Sequence, residues 1–315
     1  MYNGTDFQFI LLGFSGFQDE ESKSVLSAFF FSVYVLILLE NVFIIILIVT
    51  NENLHKPMYV FICNLALADL LIITVVIPKA LANFMFNLNT ISFSACFIQS
   101  FTYLYSISVQ LHILAAMCYD RMVAVCNPLR YVTVMSNKLV NTLLLICWTA
   151  ALVFPLILMC FALRLSFCGP NKIPSYYCSH ASIIKMSCTD YTFNSVLGLV
   201  FGLGLIIAHT IIFILSYVTI IAAVLKVKSA DGYMKAFSTC GAHLFVVITT
   251  LLSAAFVYIT SRLPWFSVDA RFIANTVQIL LCPMLNPIIY SLMTKEIMKS
   301  IKKVIQKNII KPFQE

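Results

Sequence analysis

The sequence predicts an all-α fold, a seven-transmembrane helix bundle followed by a short amphipathic C-terminal helix. Apolar residues make up 61% of the 315 positions and charged residues only 10%, whereas soluble domains are about 45–50% apolar and about 25% charged. The apolar residues gather in seven stretches, each close to the roughly 20 residues that a helix needs to cross a bilayer. Composition and spacing therefore place most of the chain in lipid.

The seven stretches predict one domain over residues 1–315, because no connection is rich enough in glycine or serine to separate two domains. We expect an N-terminal segment over 1–24, the bundle over 25–292 and a tail over 293–315. The predicted spans, in chain order, are 25–49, 58–84, 96–118, 139–163, 195–225, 240–260 and 272–292.

The distribution of lysine and arginine predicts the orientation in the membrane. With the N-terminus outside, 13 of the basic side chains fall on inner segments and 7 on outer segments, and inner loops normally carry the excess. We therefore expect a multi-pass plasma-membrane protein with an extracellular N-terminus and a cytoplasmic C-terminus. The net charge of +7 then reflects topology and gives no reason to expect a nucleic-acid partner.

The N-terminal segment carries acidic residues but no basic n-region, so the first span is expected to act as the insertion signal. Asn3, Gly4 and Thr5 match the acceptor pattern for N-glycosylation, which requires an extracellular position. Together with the charge distribution, this match makes Asn3 a candidate glycosylation site.

Four cysteines fall on the predicted outer side, where disulfides persist. They are Cys96, Cys168, Cys178 and Cys188, and they allow three pairings. A bond from Cys96 to Cys178 would tether the second outer loop over the bundle, and Cys168 with Cys188 would close a smaller ring within that loop. A zinc site is the alternative, which we disfavour because the spacing lacks a close CxxC or HxxxH pair.

The tail predicts a short helix on the inner leaflet over 295–310. Isoleucine, methionine and valine recur on one face of this helix, while lysines occupy the other face and would meet lipid headgroups. The apolar positions are Ile297, Met298, Ile301, Val304 and Ile305, and the lysines are Lys295, Lys299, Lys302, Lys303 and Lys307. A disordered basic tail is the alternative.

Five segments carry a family resemblance. They are LHKPMYVFICNLALADL at 54–70, MCYDRMVAVCNPLRY at 117–131, SYVTII at 216–221, KAFSTCGAHL at 235–244 and PMLNPIIYS at 283–291. With these segments in this order, the chain resembles a vertebrate olfactory (odorant) receptor of the rhodopsin-like, class A G-protein-coupled receptor family. The resemblance implies binding of a small odorant and activation of a stimulatory, olfactory-type G protein that raises cAMP. It also implies a location in the cilia of olfactory neurons.

The resemblance assigns a conformational latch to Asp120 and Arg121 at the inner end of the third span. Arg121 would leave Asp120 on activation and extend toward Tyr217 and the G protein. An ionisable pair near a membrane face is costly unless it is paired or wetted. The alternative is an interfacial anchor whose arginine extends along its apolar stem to the headgroups.

Further positions match the family's switch set. Asp69 lies within a span, where an unpaired carboxylate is expensive, and with Asn41 and Asn286 it resembles the family's polar core, which implies a sodium ion as the one cofactor to consider. Asn286, Pro287 and Tyr290 together resemble the family's seventh-helix motif, in which Pro287 lacks a backbone donor and loosens the helix. The alternative for these residues is polar packing between helices.

The resemblance places the ligand between the third, fifth, sixth and seventh spans, roofed by the second outer loop. The candidate ligand-binding residues are chosen by helical periodicity on the spans, and the second outer loop adds His180. They are Tyr103, Leu104, Ile107, Ser108, His180, Phe201, Leu205, Tyr258, Ile259, Arg262 and Thr276. A guanidinium holds a carboxylate bidentately, so Arg262 makes a carboxylate the implied ligand class. An arginine that reaches the outer surface is the alternative.

Other function classes fit less well. A class A receptor for a non-odorant metabolite is the nearest alternative. A transporter would use Asp69 and Glu40 within the spans, but internal repeats and broken helices in matching halves are missing. An enzyme is not expected, since no catalytic motif occurs and the histidines are scattered.

Overall fold

The computed structural model describes residues 7–14, 19–168, 171–226, 230–263 and 265–310. Within these ranges, only the backbone is described at 230–239, 262, 293, 295, 304, 305 and 307–310. Residue Asn3 lies outside the described residues, so the glycosylation site stays a prediction.

Most of the described chain is helical, and seven of its helical segments are long and apolar enough to cross a membrane. We call the end of the bundle at which residues 7–14 lie the upper end, and the opposite end the lower end. The helices are α1 (Glu20–Thr50), α2 (Pro57–Phe86), α3 (Phe93–Cys126), α4 (Tyr131–Val134), α5 (Asn137–Ala150), α6 (Val153–Ala162), α7 (His180–Ile184), α8 (Thr192–Val224), α9 (Ala230–Arg262), α10 (Val268–Met293) and α11 (Lys295–Ile310).

The spans follow the predicted order, and most helices run several residues beyond the predicted bounds. Side-chain caps fix three of the upper starts: Asp19 accepts the N–H of Ser22 at 2.8 Å, and Ser92 and Ser267 cap α3 and α10 in the same way. Such caps satisfy backbone donors that have no partner within the helix. The hydrogen bonds from Ser22 also lower the pKa of Asp19.

The fourth span is divided into α5 and α6 by a turn at residues 151 and 152. Pro155 explains the position of this break, because proline has no N–H with which to continue a helix from the preceding turn. In the structure Pro155 lies in the first turn of α6, where backbone donors have no intrahelical partner in any case.

A small sheet covers the upper end, a feature that the all-α prediction did not include. Its strands are β1 (Gln8–Leu11), β2 (Thr90–Ser92) and β3 (Lys172–Ile173), and β1 lies in the middle. Strand β1 pairs antiparallel with β2 and parallel with β3. Alternate side chains of a strand face the same side, and Phe9 and Leu11 are both fully buried. The N-terminal segment therefore joins the first and second upper loops.

Two disulfides fix the same end. Cys96 at the start of α3 is bonded to Cys178, and both side chains are fully buried. Cys168 is bonded to Cys188, and both are exposed at the rim of the loop. Because all four sulfur atoms are in disulfides, they cannot serve as zinc ligands.

The predicted tail helix is present as α11, which begins directly after α10. Ile297 is fully buried, and Ile301 packs against the apolar core at the lower end of the bundle. Ser300 accepts a hydrogen bond from Nδ2 of Asn51 at 2.9 Å, which ties α11 to the end of α1. Lys299, Lys302 and Lys303 are exposed on the other side. The lipid contact of this helix stays a prediction.

Candidate ligand cavity and switch region

A cavity of about 180 Å³ opens at the upper end. A cavity of about 150 Å³ accepts benzene, so there is room for a small organic molecule. Among the residues that the structure describes, no aspartate or glutamate lines it. The lining consists of Tyr103, Leu104, Phe154, Leu158, Pro174, Ser175, Tyr177, Ser179, His180, Ala181, Ser182, Lys185, Met186, Gly198, Val257, Tyr258, Ser261, Val268, Arg271, Phe272 and Asn275.

Four of the predicted ligand-binding residues line this cavity: Tyr103 and Leu104 on α3, His180 at the start of α7, and Tyr258 on α9. The two tyrosine hydroxyls already have protein partners. Tyr103 donates to Oε1 of Gln278 at 2.9 Å, and Tyr258 donates to backbone carbonyls of α8. Both rings therefore form walls, with their hydroxyls directed away from a ligand.

Four other predicted residues lie inside the bundle but do not line the cavity. Ile107 packs against the apolar core at the upper end of the bundle, Ser108 is fully buried, and the carbonyl of Leu205 accepts a hydrogen bond from Nδ1 of His209. Thr276 donates to the hydroxyl of Tyr176 at 3.3 Å. A side chain of the upper loop thus occupies the place beside Thr276 that was expected to hold a ligand.

Phe201 and Ile259 are not among the described residues that line the cavity. They are 36% and 48% exposed on the outer surface of the bundle, where a membrane protein meets lipid. Helices α8 and α9 are apolar on several faces, so their periodicity does not reveal which face packs inward. Glycines on the inner face of α8 set its rotation, and Phe201 lies about 100° from Gly202 on the same helix.

Arg262 is the last residue of α9, and its side chain lies outside the described residues. Sequence reasoning missed an arginine that does line the cavity, Arg271 on α10. Its guanidinium donates from Nε to the carbonyl of Thr260 at 3.1 Å and from Nη2 to that of Leu263 at 3.4 Å. Arg271 therefore satisfies carbonyls at the end of α9, as basic side chains near helix C-termini do.

The roof of the cavity is tied to α10 by buried tyrosines. Tyr177 precedes the disulfide-bonded Cys178, and its hydroxyl donates to Oδ1 of Asn275 at 2.6 Å. Its ring lies 5.0 Å from that of Tyr103, measured between ring centres. Burial raises the pKa of Tyr177 well above its ordinary value, so its hydroxyl remains a donor. The loop and α3 thus contact α10 on the same side of the cavity.

Beneath the cavity, Asp69 is fully buried and accepts two amide hydrogen bonds. Nε2 of Gln110 donates to Oδ1 at 2.5 Å, and Nδ2 of Asn286 donates to Oδ2 at 2.9 Å. A buried carboxylate is tolerated when such bonds replace water. These bonds join α2, α3 and α10 at the middle of the bundle.

Asn41 stabilises the same region through hydrogen bonds to backbone carbonyls rather than to Asp69. Pro287 has no N–H, so the carbonyl of Pro283, four residues earlier, loses its normal helical donor. Nδ2 of Asn41 donates to that carbonyl at 3.0 Å and to the carbonyl of Ile37 at 2.9 Å. Asn41 thus replaces the missing donor and binds α1 to the proline-containing part of α10.

At the lower end, Arg121 is paired with Asp120. Nε of Arg121 donates to Oδ2 of Asp120 at 2.9 Å, and Nη2 contacts the same oxygen. Tyr131 on α4 donates to Oδ1 at 2.7 Å. Burial raises the pKa of Tyr131, which keeps its hydroxyl protonated as this donor. With Asp120 fully buried and the Arg121 side chain only 11% exposed, the two residues form a buried ion pair in this structure, which is the closed arrangement expected of the predicted latch.

Tyr217 does not contact Arg121 in this closed arrangement. Its hydroxyl lies 2.9 Å from Nδ1 of His243 on α9 and 3.4 Å from the carbonyl of Cys240. Tyr290 is almost fully buried, and its hydroxyl has no hydrogen-bond partner among the described residues. The sequence marked Tyr217 and Tyr290 but not His243, whose apolar surroundings gave no signal.

The fold is that of a known class of membrane receptors. The crystal structure of squid rhodopsin matches with a TM-score of 0.73, covering 90% of this chain and 81% of rhodopsin at 16% sequence identity. At that identity the likeness concerns the fold alone. The seven-helix bundle, with a cavity at one end and a buried acid–arginine pair at the other, therefore places the chain in the class of seven-transmembrane proteins with the rhodopsin fold.

The particular family is given by sequence. The model of the family described as "Olfactory receptor" matches residues 30–308. Human olfactory receptor 2A12 is 37% identical over 298 residues, 95% of each chain, and mouse olfactory receptor 5H19 is 40% identical over 281 residues, 89% of this chain and 91% of its own. This chain belongs to the olfactory receptor family of G-protein-coupled receptors, and it is a multi-pass membrane protein rather than an enzyme.

Proposed function

We propose that this chain is an odorant receptor of the plasma membrane, with an extracellular N-terminus and a location in olfactory cilia. It binds a small odorant in the upper cavity and activates a stimulatory, olfactory-type G protein that raises cAMP. The observation that carries the proposal is the combination of a small-molecule-sized cavity at the upper end with the buried Asp120–Arg121 pair at the lower end. The excess of basic residues on the lower segments supports a cytoplasmic lower end.

The switch that we propose begins at Tyr217. In the closed arrangement its hydroxyl is bound to His243, and Arg121 is bound to Asp120. Movement of α9 away from α8 would separate Tyr217 from His243 and give Arg121 a new partner. A ligand favours this open state only to the extent that it binds it more tightly than the closed state.

Polar contacts supply a route from the cavity to the switch. Tyr103 and Tyr177 line the cavity and are bonded to α10 through Gln278 and Asn275. Farther down, α10 is bonded to Asp69 through Asn286. A ligand that displaces either tyrosine would therefore change the position of α10 at its polar core.

For the ligand class we propose a carboxylate. Arg262, at the end of α9, is the anchor that the sequence suggests, and Arg271 and Lys185 line the cavity. Since no described acidic residue lines it, an anion would meet positive charge without a competing carboxylate. Charge-assisted hydrogen bonds of this kind are roughly twice as strong as neutral ones.

A sodium ion beside Asp69 is the one cofactor that we propose. Sodium requires oxygen ligands, and Oδ1 of Asn41 and Oδ1 of Asn286 are buried without a hydrogen-bond partner among the described residues. Each oxygen of Asp69 accepts one amide and retains a second lone pair. The positive charge of the ion would balance the negative charge of the buried Asp69 carboxylate. Replacing sodium by potassium should lower the thermal stability of wild-type receptor but not of an Asp69→Asn variant.

The test is a cAMP assay in cells that express the receptor with the olfactory-type G protein. A panel of acids, amines and neutral volatiles identifies the ligand class. Responses to carboxylates support the whole proposal, whereas responses only to a non-volatile metabolite would favour a metabolite receptor. Solute exchange across vesicles without nucleotide exchange on an added G protein would indicate a transporter.

A further inference from the structure

We propose that the contact between Tyr258 and Gly202 sets the width of the ligand cavity on its α8 side, which makes Gly202 a specificity-determining residue. This inference rests on the proposed function only in taking the upper cavity as the place where the ligand binds.

The hydroxyl of Tyr258 is held by the backbone of α8. It lies 2.6 Å from the carbonyl of Gly198 and 2.7 Å from that of Leu199. A phenol has a single hydrogen to donate, and here it is shared between two carbonyls. Tyr258 therefore offers a ligand the surface of its ring, and the ring is fixed in place from the α8 side.

Gly202 is what allows the ring to lie so close to α8. A Cβ atom at position 202 would be 2.8 Å from both Cζ and the hydroxyl oxygen of Tyr258, and closer still to Cε2. Favourable contacts between carbon atoms lie at about 3.5–4.0 Å, so any other residue at 202 forces the ring to move. The atoms in the way belong to a rigid ring, so a rotation at the end of a side chain cannot relieve the overlap.

The cavity gives the displaced ring a direction in which to move. Gly198 lines the cavity, but Gly202, one turn below it, is absent from the described lining because the Tyr258 ring covers it. The α8 backbone lies against the ring at Gly202, and the ring itself lines the cavity, so the cavity is the open space that borders it. A methyl group at 202 should therefore push the ring inward and narrow the cavity.

Gly204 provides a matched control on the same helix. A Cβ atom there meets nothing within 4 Å, and Gly204 is exposed on the outer face of α8. The change from glycine to alanine has the same effect on helix propensity at both positions. A difference between the two variants then reports the contact with Tyr258.

The experiment measures the cavity directly and needs no known agonist. A cysteine introduced at Leu104, which lines the cavity, is labelled on intact cells with ammonium-ethyl or trimethylammonium-ethyl methanethiosulfonate. The two reagents have the same charge and differ in the size of the head group. Mass spectrometry of the peptide that contains residue 104 gives each rate, and the parent receptor with Leu104 supplies the background.

We define the ratio of rates as the labelling rate of the bulky trimethylammonium reagent divided by that of the small ammonium reagent. We expect Gly202→Ala to lower this ratio by about tenfold, the scale on which a filled apolar pocket discriminates one methylene group. Gly204→Ala should leave the ratio of rates unchanged. Tyr258→Ala should raise the ratio, because it opens the space above Gly202. An unchanged or raised ratio in Gly202→Ala would overturn the proposal, and would show that the contact only packs α8 against α9.

If Gly202→Ala does not reach the cell surface, the double variant Gly202→Ala/Tyr258→Val decides the question. Removing the ring removes the overlap, so surface expression should return, and the bulky reagent should then label residue 104 faster relative to the small one than in the parent receptor. Failure of expression to return, or relative rates equal to those of the parent, would overturn the proposal. A receptor that gives no cAMP response to any odorant would contradict the proposed function but would leave the labelling ratios, and this inference, intact.

Discussion

Loss of the disulfide between Cys96 and Cys178 should harm the receptor more than loss of the disulfide between Cys168 and Cys188. The first bond joins residues 82 apart in the sequence, and the second joins residues 20 apart. In the chain-entropy treatment, closing loops of these lengths destabilises the unfolded chain by about 4.5 and about 3.3 kcal/mol at 25 °C. The longer loop therefore contributes about 1 kcal/mol more.

Burial adds to this difference. Cys96 and Cys178 are fully buried beneath the sheet, so serine at either position places a polar hydroxyl where sulfur packed before, which costs about 1–3 kcal/mol if it finds no partner. Cys168 and Cys188 are exposed, and water can satisfy a serine there. The ring that they close also has backbone hydrogen bonds at its base, such as that from the N–H of Cys188 to the carbonyl of Ser166 at 2.9 Å.

We therefore expect Cys96→Ser and Cys178→Ser each to abolish surface expression, and Cys168→Ser to reduce it only in part. Flow cytometry of tagged receptor on intact cells measures surface expression, and permeabilised cells give the total. Non-reducing peptide mapping checks the pairing in the parent receptor. Equal losses in all three variants, or a peptide that joins Cys96 to Cys168 or Cys188, would refute this reasoning.

Three further predictions concern the tail, the polar core and the ligand class. A peptide of residues 295–310 should become helical by circular dichroism on anionic vesicles but not on neutral ones, because its lysines face the headgroups; a peptide unstructured on both would contradict this. Asn41→Ala should destabilise the detergent-solubilised receptor by about 1–3 kcal/mol, since the Pro283 carbonyl loses its donor, whereas Ser27→Ala removes only a bond within α1 and should change stability little. Arg262→Ala should weaken cAMP responses to carboxylates far more than to alcohols of equal chain length, and Arg262→Lys should restore them only in part; equal losses for both classes would mean that Arg262 shapes the loops instead.

The number and order of the spans could be predicted because crossing a bilayer requires long apolar helices. The tail helix α11 followed from the alternation of isoleucine and lysine in the tail. The cysteine positions allowed three pairings, and the structure selects the expected pairs Cys96–Cys178 and Cys168–Cys188. The upper sheet could not be predicted, because strand β1 has only four residues and such short strands carry little sequence signal. The strands that pair with it, β2 and β3, are about 80 and 160 residues away in the chain. Its stability depends on tertiary pairing, which local composition does not report.

The cavity was predicted less well than the bundle, and the reason is the rotation of the helices. On α3, counting helical turns from Cys96 at the start of the helix found Tyr103 and Leu104, which lie about two turns below it. On α8, both faces are apolar, and the choice between Phe201 and Gly198 depends on how Tyr258 packs against the glycines. Arg271 and His243 were missed because their roles arise from contacts with α9 and α8 rather than from any sequence pattern.

The central claim is that this receptor activates a G protein through the Asp120–Arg121 latch. The most direct measurement is nucleotide exchange on added olfactory-type G protein, in membranes that contain equal amounts of wild-type or Arg121→Ala receptor at the cell surface. We expect an active odorant from the panel to stimulate exchange with the wild type and to leave it at background with Arg121→Ala, because the variant folds but lacks the side chain that leaves Asp120 on activation. Exchange at the wild-type rate with Arg121→Ala, in receptor that still binds the odorant, would contradict this account.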